Sequence, residues 1–226
     1  MEIKRIAKIK TDFKTKFGIP RQSGIIKELS GKIVFEREYR SPDAIRGLDG
    51  FSHVWLIWEF SKNETRKFSP TVRPPKLGGN EKMGVFATRS PFRPNSLGLS
   101  LVKIEKIYYD EKKGPIIEVS GVDMVDNTPI YDIKPYLPYA DSAENARAGF
   151  VEEIEDYILS VEYDGDIMES FPLEKRESLI KILAQDPRPS YIEDANRVYG
   201  FVYCGYEIKF KVDKKILTLV SIEGSL

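Results

Sequence analysis

Up to about residue 140 the chain is a succession of short β-like segments separated by proline- and glycine-rich turns, and no convincing helical periodicity interrupts it. The segments fall at 3–10, 31–39, 53–60, 83–88, 97–109, 115–125 and 130–133. Strands spaced this closely leave no room for crossover helices, so the pattern predicts an antiparallel barrel or sandwich rather than βαβ units. The run His53-Val54-Trp55-Leu56-Ile57-Trp58-Glu59-Phe60 is almost continuously apolar, which reads as a strand buried on both faces. Trp55 and Trp58 are three apart and read as packing residues, and His53 as a satisfied residue at the core edge.

Near Asp141 the character changes. Residues 141–149 read as a linker, and 171–185 as a helix with Pro172 in its first turn. Leu173, Arg176, Ile180 and Leu183 would line one face of that helix, and Pro187 would end it. The stretch 205–212 alternates in β fashion and 216–222 can pair with it. The expected division is therefore a β-barrel over 1–141 and a small α+β domain over 142–226.

Composition removes several function classes. One histidine, His53, and one cysteine, Cys204, exclude a histidine-rich or cysteine-based metal cage and any internal disulfide, so no metal is expected. No apolar run approaches the ~18 residues of a membrane span. The chain opens on Met1-Glu2-Ile3-Lys4-Arg5 without an apolar signal segment, from which a cytoplasmic location is expected. Net charge is zero, yet residues 62–95 carry eight cations against Glu64 and Glu81, while 141–181 carry twelve acids and four bases. Such a local excess can attract phosphate, or can simply be a solvated loop. The fingerprints of the common nucleotide-binding and hydrolase folds are missing.

Four stretches could carry chemistry. The first is Arg73-Pro74-Pro75-Lys76-Leu77-Gly78-Gly79-Asn80, followed by Phe86-Ala87-Thr88-Arg89-Ser90 and Phe92-Arg93-Pro94-Asn95-Ser96. Arginines stiffened by prolines lose few backbone states on clamping an anion or a planar base. Alternatively this is a rigid turn whose arginines pair with carboxylates, although no acid lies between Glu81 and Glu105. The second runs from Ser120-Gly121-Val122-Asp123 through Asp126-Asn127 to Asp132. Its aspartates could hold ribose hydroxyls or remove a proton, or could only cap their own turns, and Gly121 would let a ligand approach the backbone. The third is the polar loop Pro20-Arg21-Gln22-Ser23-Gly24. The fourth is Gln185-Asp186-Pro187-Arg188-Pro189-Ser190-Tyr191, an arginine held between prolines beside a tyrosine able to stack on a base.

Together with Arg46-Gly47-Leu48, Phe51-Ser52-His53, Val125-Asp126 and Asp132-Ile133-Lys134-Pro135-Tyr136-Leu137-Pro138, these stretches resemble the TsaA-like (TrmO) family of tRNA adenosine methyltransferases, in order along nearly the whole chain. The resemblance implies a single-sheet β-barrel that binds S-adenosylmethionine, a homodimer, and methylation of the exocyclic nitrogen of threonylcarbamoyladenosine beside the anticodon of tRNA. It puts cofactor contacts on Arg21, Gln22, Ser23, Gly24, Phe60, Ser61, Arg89, Leu99, Ser120, Gly121, Val122 and Asp123. Substrate contacts fall on Lys134, Tyr136, Asp186, Arg188 and Tyr191. The chain departs from the family pattern at Ser61, in place of histidine, at Asn127, in place of glycine, and at Ser23 and Ser96, where proline is common.

Methyl transfer from a sulfonium is an in-line displacement, so the protein's main task is positioning. The acceptor nitrogen belongs to a ureido group whose lone pair is delocalised, so a base should take its proton. Asp126 is the expected base, with Asp123 nearer the cofactor; Arg93 and Asn95 would orient the carbamoyl oxygen or the threonyl carboxylate. The rival readings are a non-catalytic module that binds S-adenosylmethionine or RNA, and a metal-dependent phosphate-ester hydrolase using the aspartates.

Overall fold

The computed structural model describes residues 2–63, 67–74, 81–152, 157–188 and 194–224. In chain order its first strands are β1 Ala7–Thr11, β2 Ser30–Phe35, β3 His53–Glu59, β4 Thr71–Val72, β5 Met83–Gly84, β6 Leu97–Asp110, β7 Gly114–Ser120 and β8 Thr128–Pro135. Six of them close into an antiparallel barrel in the order β1-β2-β7-β6-β3-β8, with β8 returning to β1. The mostly-β reading and the barrel are therefore correct.

Local details differ from expectation for physical reasons. On β3 only Val54, Leu56 and Trp58 are buried, while His53, Trp55, Ile57 and Glu59 form part of the outer wall. A barrel has one interior, so the apolar run marks a strand buried on one face with an unusually apolar outside. The segment 31–39 is strand only to Phe35, after which residues 37–39 form a 3-10 turn. The segment 83–88 contains two strand residues and then a 3-10 turn at 85–87. Among the described residues β4 and β5 pair only with each other, Thr71 opposite Gly84 and Val72 opposite Met83, and form a flap outside the barrel.

The barrel wall is irregular along β6. This strand pairs with β3 from Leu97 to Lys103, but with β7 only from Lys103 onward. Among the described residues, 97–102 therefore have no β-strand neighbour on one side. Opposite this stretch Trp58 lies across Gly98, where an added Cβ would come within 2.3 Å of the indole. Gly98→Ala must push that ring aside, and overpacking of this kind costs about 1–3 kcal/mol. A lowered thermal midpoint is expected; an unchanged one would mean that Trp58 moves freely.

Beyond the barrel and the flap, the α-helices and strands of the described residues are α1 Pro138–Asp141, β9 Ser160–Glu162, α2 Leu173–Ala184, β10 Tyr199–Tyr203, β11 Tyr206–Asp213 and β12 Ile216–Gly224. The sheet order is β10-β11-β12-β9, with β9 parallel to β12. The expected β11–β12 hairpin is present; β9 and β10 were not expected. α2 buries Ser178, Leu179, Ile182 and Leu183, whereas Leu173 is exposed, so the apolar face is rotated from the expected one. The helix ends before Pro187, because Asp186 turns left-handed (φ 50°) and donates its N–H to Leu183 O.

The barrel and this sheet share a hydrophobic core. Phe13, after β1, bridges to Tyr203 on β10 with ring centroids 5.1 Å apart. Lys175 on α2 reaches Asp12 at 2.7 Å. Gly18, at φ 83°, lies under the Phe201 ring, where any Cβ would collide at 2.5 Å. The loop after Gly18, residues 19–24, leads on from this docking and meets β6, where Ser23 Oγ accepts from Leu101 N–H at 3.1 Å.

Candidate functional site

The register across β3 and β6 decides which backbone groups point outward along the sheet. In an antiparallel ladder, directly opposed residues alternate between pairs that exchange hydrogen bonds and pairs whose polar groups point away from each other. Leu101 N–H donates to Ser23 Oγ at 3.1 Å, away from β3, so Leu101 and Trp55 form a pair of the second kind. Two residues back, Leu99 opposite Ile57 must then be another. The Leu99 N–H and C=O accordingly face the same open edge, beside the 21–24 loop.

That loop is anchored at Gln22, Ser23 and Gly24. Gly24 N–H donates to Gly121 O at 2.9 Å, and Gly121 N–H donates to Leu29 O at 2.8 Å. Both glycines have φ 78°, and a Cβ on Gly121 would stand 3.3 Å from Gly24 Cα. Gly121 is thus needed for the approach of the Gly24 backbone, not directly for that of a ligand. The open space belongs to Gly24, where an added Cβ has no atom of the described residues within 4 Å. The Arg89 guanidinium donates to Gln22 Oε1 and so ties the 88–90 segment to this loop.

Beneath the loop lies Asp123. Its Oδ1 accepts the Ser100 hydroxyl at 2.7 Å, and Ser100 Oγ in turn accepts Trp58 Nε1–H at 2.8 Å. Burial pushes the Asp123 carboxyl up to about 6; hydrogen bonds from Ser100 and from the backbone at Asp123 and Ser23, together with the charge of Arg89, limit that rise. This carboxylate exchanges its proton close to neutral pH. Ser100 was not singled out from the sequence, although it falls on the inward side of the alternating run Gly98-Leu99-Ser100-Leu101-Val102, where a buried serine calls for a polar partner.

The other expected residues are spread more widely. Asp126 contacts Lys14 at 3.0 Å, Lys10 at 3.8 Å, the Thr11 amide at 3.2 Å and the Asn127 amide group at 2.8 Å. Burial pushes its carboxyl up, but these partners outweigh it and leave the group below its ordinary value. A carboxylate so stabilised is a weak base. Asn127 adopts φ 66°, the left-handed conformation that asparagine tolerates in place of glycine. The Arg93 guanidinium is occupied by Val85 O at 3.0 Å and Thr88 O at 2.8 Å, and lies over the Phe86 ring. Asn95 is exposed.

Val122 is buried in the barrel core and Ser120 is turned toward Glu105 (2.6 Å), so neither side chain faces the loop. The Phe60 ring packs on Trp58 at 4.3 Å, and Ser61 follows it in a turn. Lys134 pairs with Asp132 at 3.1 Å, and Tyr136 stands against His53 and Trp55 on the outer wall. Arg188 forms a two-point pair with Asp186, both bonds 2.8 Å. This pair lines a cleft of about 100 Å³ together with Lys16, Gly18, Arg21 and Gln185, so the third and fourth stretches of the sequence meet there. Pro189, Ser190, Tyr191 and residues 75–80 lie outside the described residues.

Among the described residues no group of three His, Cys, Asp or Glu side chains could hold a metal ion, and no helix is long and apolar enough to cross a membrane.

Comparison with known proteins gives a consistent result. Residues 8–142 match the model of the tRNA-methyltransferase O N-terminal domain, and residues 158–225 match that of the TrmO C-terminal domain. The chain is 37% identical over 219 residues to the tRNA (adenine(37)-N6)-methyltransferase of Escherichia coli K12, covering 93% of each protein. It is 42% identical over 178 residues to the enzyme of that name from Eikenella corrodens, covering 77% of this chain and 99% of that one. The crystal structure of TrmO from Pseudomonas aeruginosa superposes with a TM-score of 0.76 at 28% identity, covering 99% of both chains.

Proposed function

The chain belongs to the tRNA-methyltransferase O family, and from this we infer that it is an S-adenosylmethionine-dependent tRNA adenine-N6 methyltransferase whose acceptor is the threonylcarbamoylated adenosine beside the anticodon. The observation that carries the reading is the convergence of the open β6 edge at Leu99, the braced 21–24 loop and Asp123. These groups fit the cofactor. An N–H and a C=O on one exposed edge match the donor–acceptor edge of an adenine, the uncovered Gly24 admits close approach, and Arg89 suits a carboxylate.

S-Adenosylmethionine supplies a methyl group on a positively charged sulfur. The protein's residues have to align the acceptor with it and deal with the acceptor's proton. In the ureido form of the substrate that proton must leave before the nitrogen becomes a good nucleophile. Asp123, ionised above about pH 6, is a better acceptor for it than the ion-paired Asp126, and we assign it the base role. We assign substrate contact to Asn95 and to the cleft lined by Arg21 and the Arg188–Asp186 pair.

The same reading implies a cytoplasmic enzyme organised as a barrel over 1–141 and a smaller domain over 142–226. The partly exposed apolar wall of Trp55, Ile57, Leu99 and Leu101 supports a homodimer.

The test is to incubate the protein with methyl-labelled S-adenosylmethionine and tRNA, then separate the nucleosides. Label should enter the threonylcarbamoylated adenosine. Label in no nucleoside would favour the non-catalytic reading; label in unmodified adenosine alone would remove the threonylcarbamoyl requirement.

A further inference from the structure

The flap beside the site carries large apolar side chains that the fold leaves in water. Phe86 is 70% exposed, Phe68 52% and Phe92 37%. They come from neighbouring segments: Val85 N–H donates to Pro70 O, and Ser69 N–H to Phe92 O at 3.1 Å. Phe86 is held in place rather than loose. The Arg93 guanidinium fastens both ends of its 3-10 turn, through Val85 O and Thr88 O, and lies 5.3 Å from the ring centroid. The surroundings are cationic. Lys62, Lys67, Arg73 and Lys82 are exposed on or beside the flap, against Glu81 among the described residues of this stretch.

We propose that the Phe86 ring, braced by Arg93, is a stacking platform for an unpaired nucleobase of the RNA substrate, with the surrounding lysines and arginines taking the adjacent phosphates. The proposal rests on the tRNA reading above and extends it to a surface that the methyl-transfer site does not include. Unpaired bases bind proteins by stacking on aromatic faces set in a positive groove. A fixed, exposed ring with a cation behind it presents such a face with little ordering left to do. A second copy of the chain is a poorer occupant. An isologous contact would bring this cationic surface toward its own image, which adds repulsion that RNA would not meet. Arg93 is then a positioning residue for the platform and does not touch the acceptor.

The test uses the full chain and an RNA hairpin carrying an anticodon loop, with a fully paired duplex of equal length as control. Wild type should prefer the hairpin. Phe86→Ala should weaken hairpin binding roughly 10-fold or more, the usual loss for one stacked base. Phe86→Leu should not restore it, whereas Phe86→Trp should, and the emission of the new indole should be quenched on adding hairpin. Binding of S-adenosylhomocysteine should be unchanged in all three. Equal hairpin affinity in wild type and Phe86→Ala would overturn the platform and leave the tRNA reading standing. So would rescue by leucine, or a change of oligomer mass in Phe86→Ala under sedimentation. A wild-type protein that binds no hairpin would overturn both.

Discussion

Asp123→Asn should lower the rate of methyl transfer about 100-fold or more, the usual contribution of a positioned base being 10²–10⁴, while the protein stays folded. In the wild type, kcat should rise with pH and level off above about 6, where Asp123 has lost its proton, and the variant should lack that limb. Stability runs the other way. The folded-state value lies above the ordinary 3.8, so between the two the folded protein holds more protons than the unfolded chain. Asp123 therefore makes the fold less stable as pH rises through this window, with a constant deficit above it. Asparagine removes that deficit, so at neutral pH the variant should be no less stable than wild type, and its lost activity cannot be put down to unfolding. Asp126→Asn gives the contrast: its partners are structural, so it should cost stability more than rate. Normal turnover by Asp123→Asn, or the larger rate loss in Asp126→Asn, would return the base role to Asp126.

Arg89→Ala should weaken S-adenosylhomocysteine binding about 10-fold or more, since a hydrogen bond to a charged group contributes roughly 1.5–3 kcal/mol. It should also move the pH limb of kcat upward. The positive charge of Arg89 favours ionised Asp123, and removing it leaves burial less opposed. Arg89→Lys keeps a charge but not the planar fork that ties the 88–90 segment to Gln22, so it should correct the pH limb better than the affinity. Calorimetry with the product, and kcat against pH, read the two effects separately. Unchanged affinity in Arg89→Ala would detach this residue from the cofactor.

Much of the fold was legible because alternation and turn residues are local signals. The six barrel strands were all anticipated in position, and β11 with β12 as a hairpin. Apart from the 3-10 turns that shorten the segments 31–39 and 83–88, what failed depended on partners distant in sequence. The run at 53–60 does not reveal that its second apolar face is an outer wall. The face of α2 is set by Tyr203, which meets Ser178 at 2.8 Å across 25 residues. Within the site, Arg89, the 21–24 loop and the aspartate cluster were legible as residue types in unusual company. Their roles were less so. Asp123 and Asp126 look alike in sequence, and they are told apart by Ser100 beneath one and by Lys10 and Lys14, brought in from β1 and the turn after it, beside the other. The edge at Leu99 was illegible except through family resemblance, since it exists only because β7 joins β6 no earlier than Lys103.

We propose that this edge, and not a helix-lined nucleotide cleft, holds the cofactor. A crystal structure with S-adenosylhomocysteine bound tests it most directly. The ligand should lie against the Leu99 main chain, between the 21–24 loop and Arg89, with Asp123 beneath it. Ligand density at any other place on the barrel, with this edge left bare, would contradict the claim.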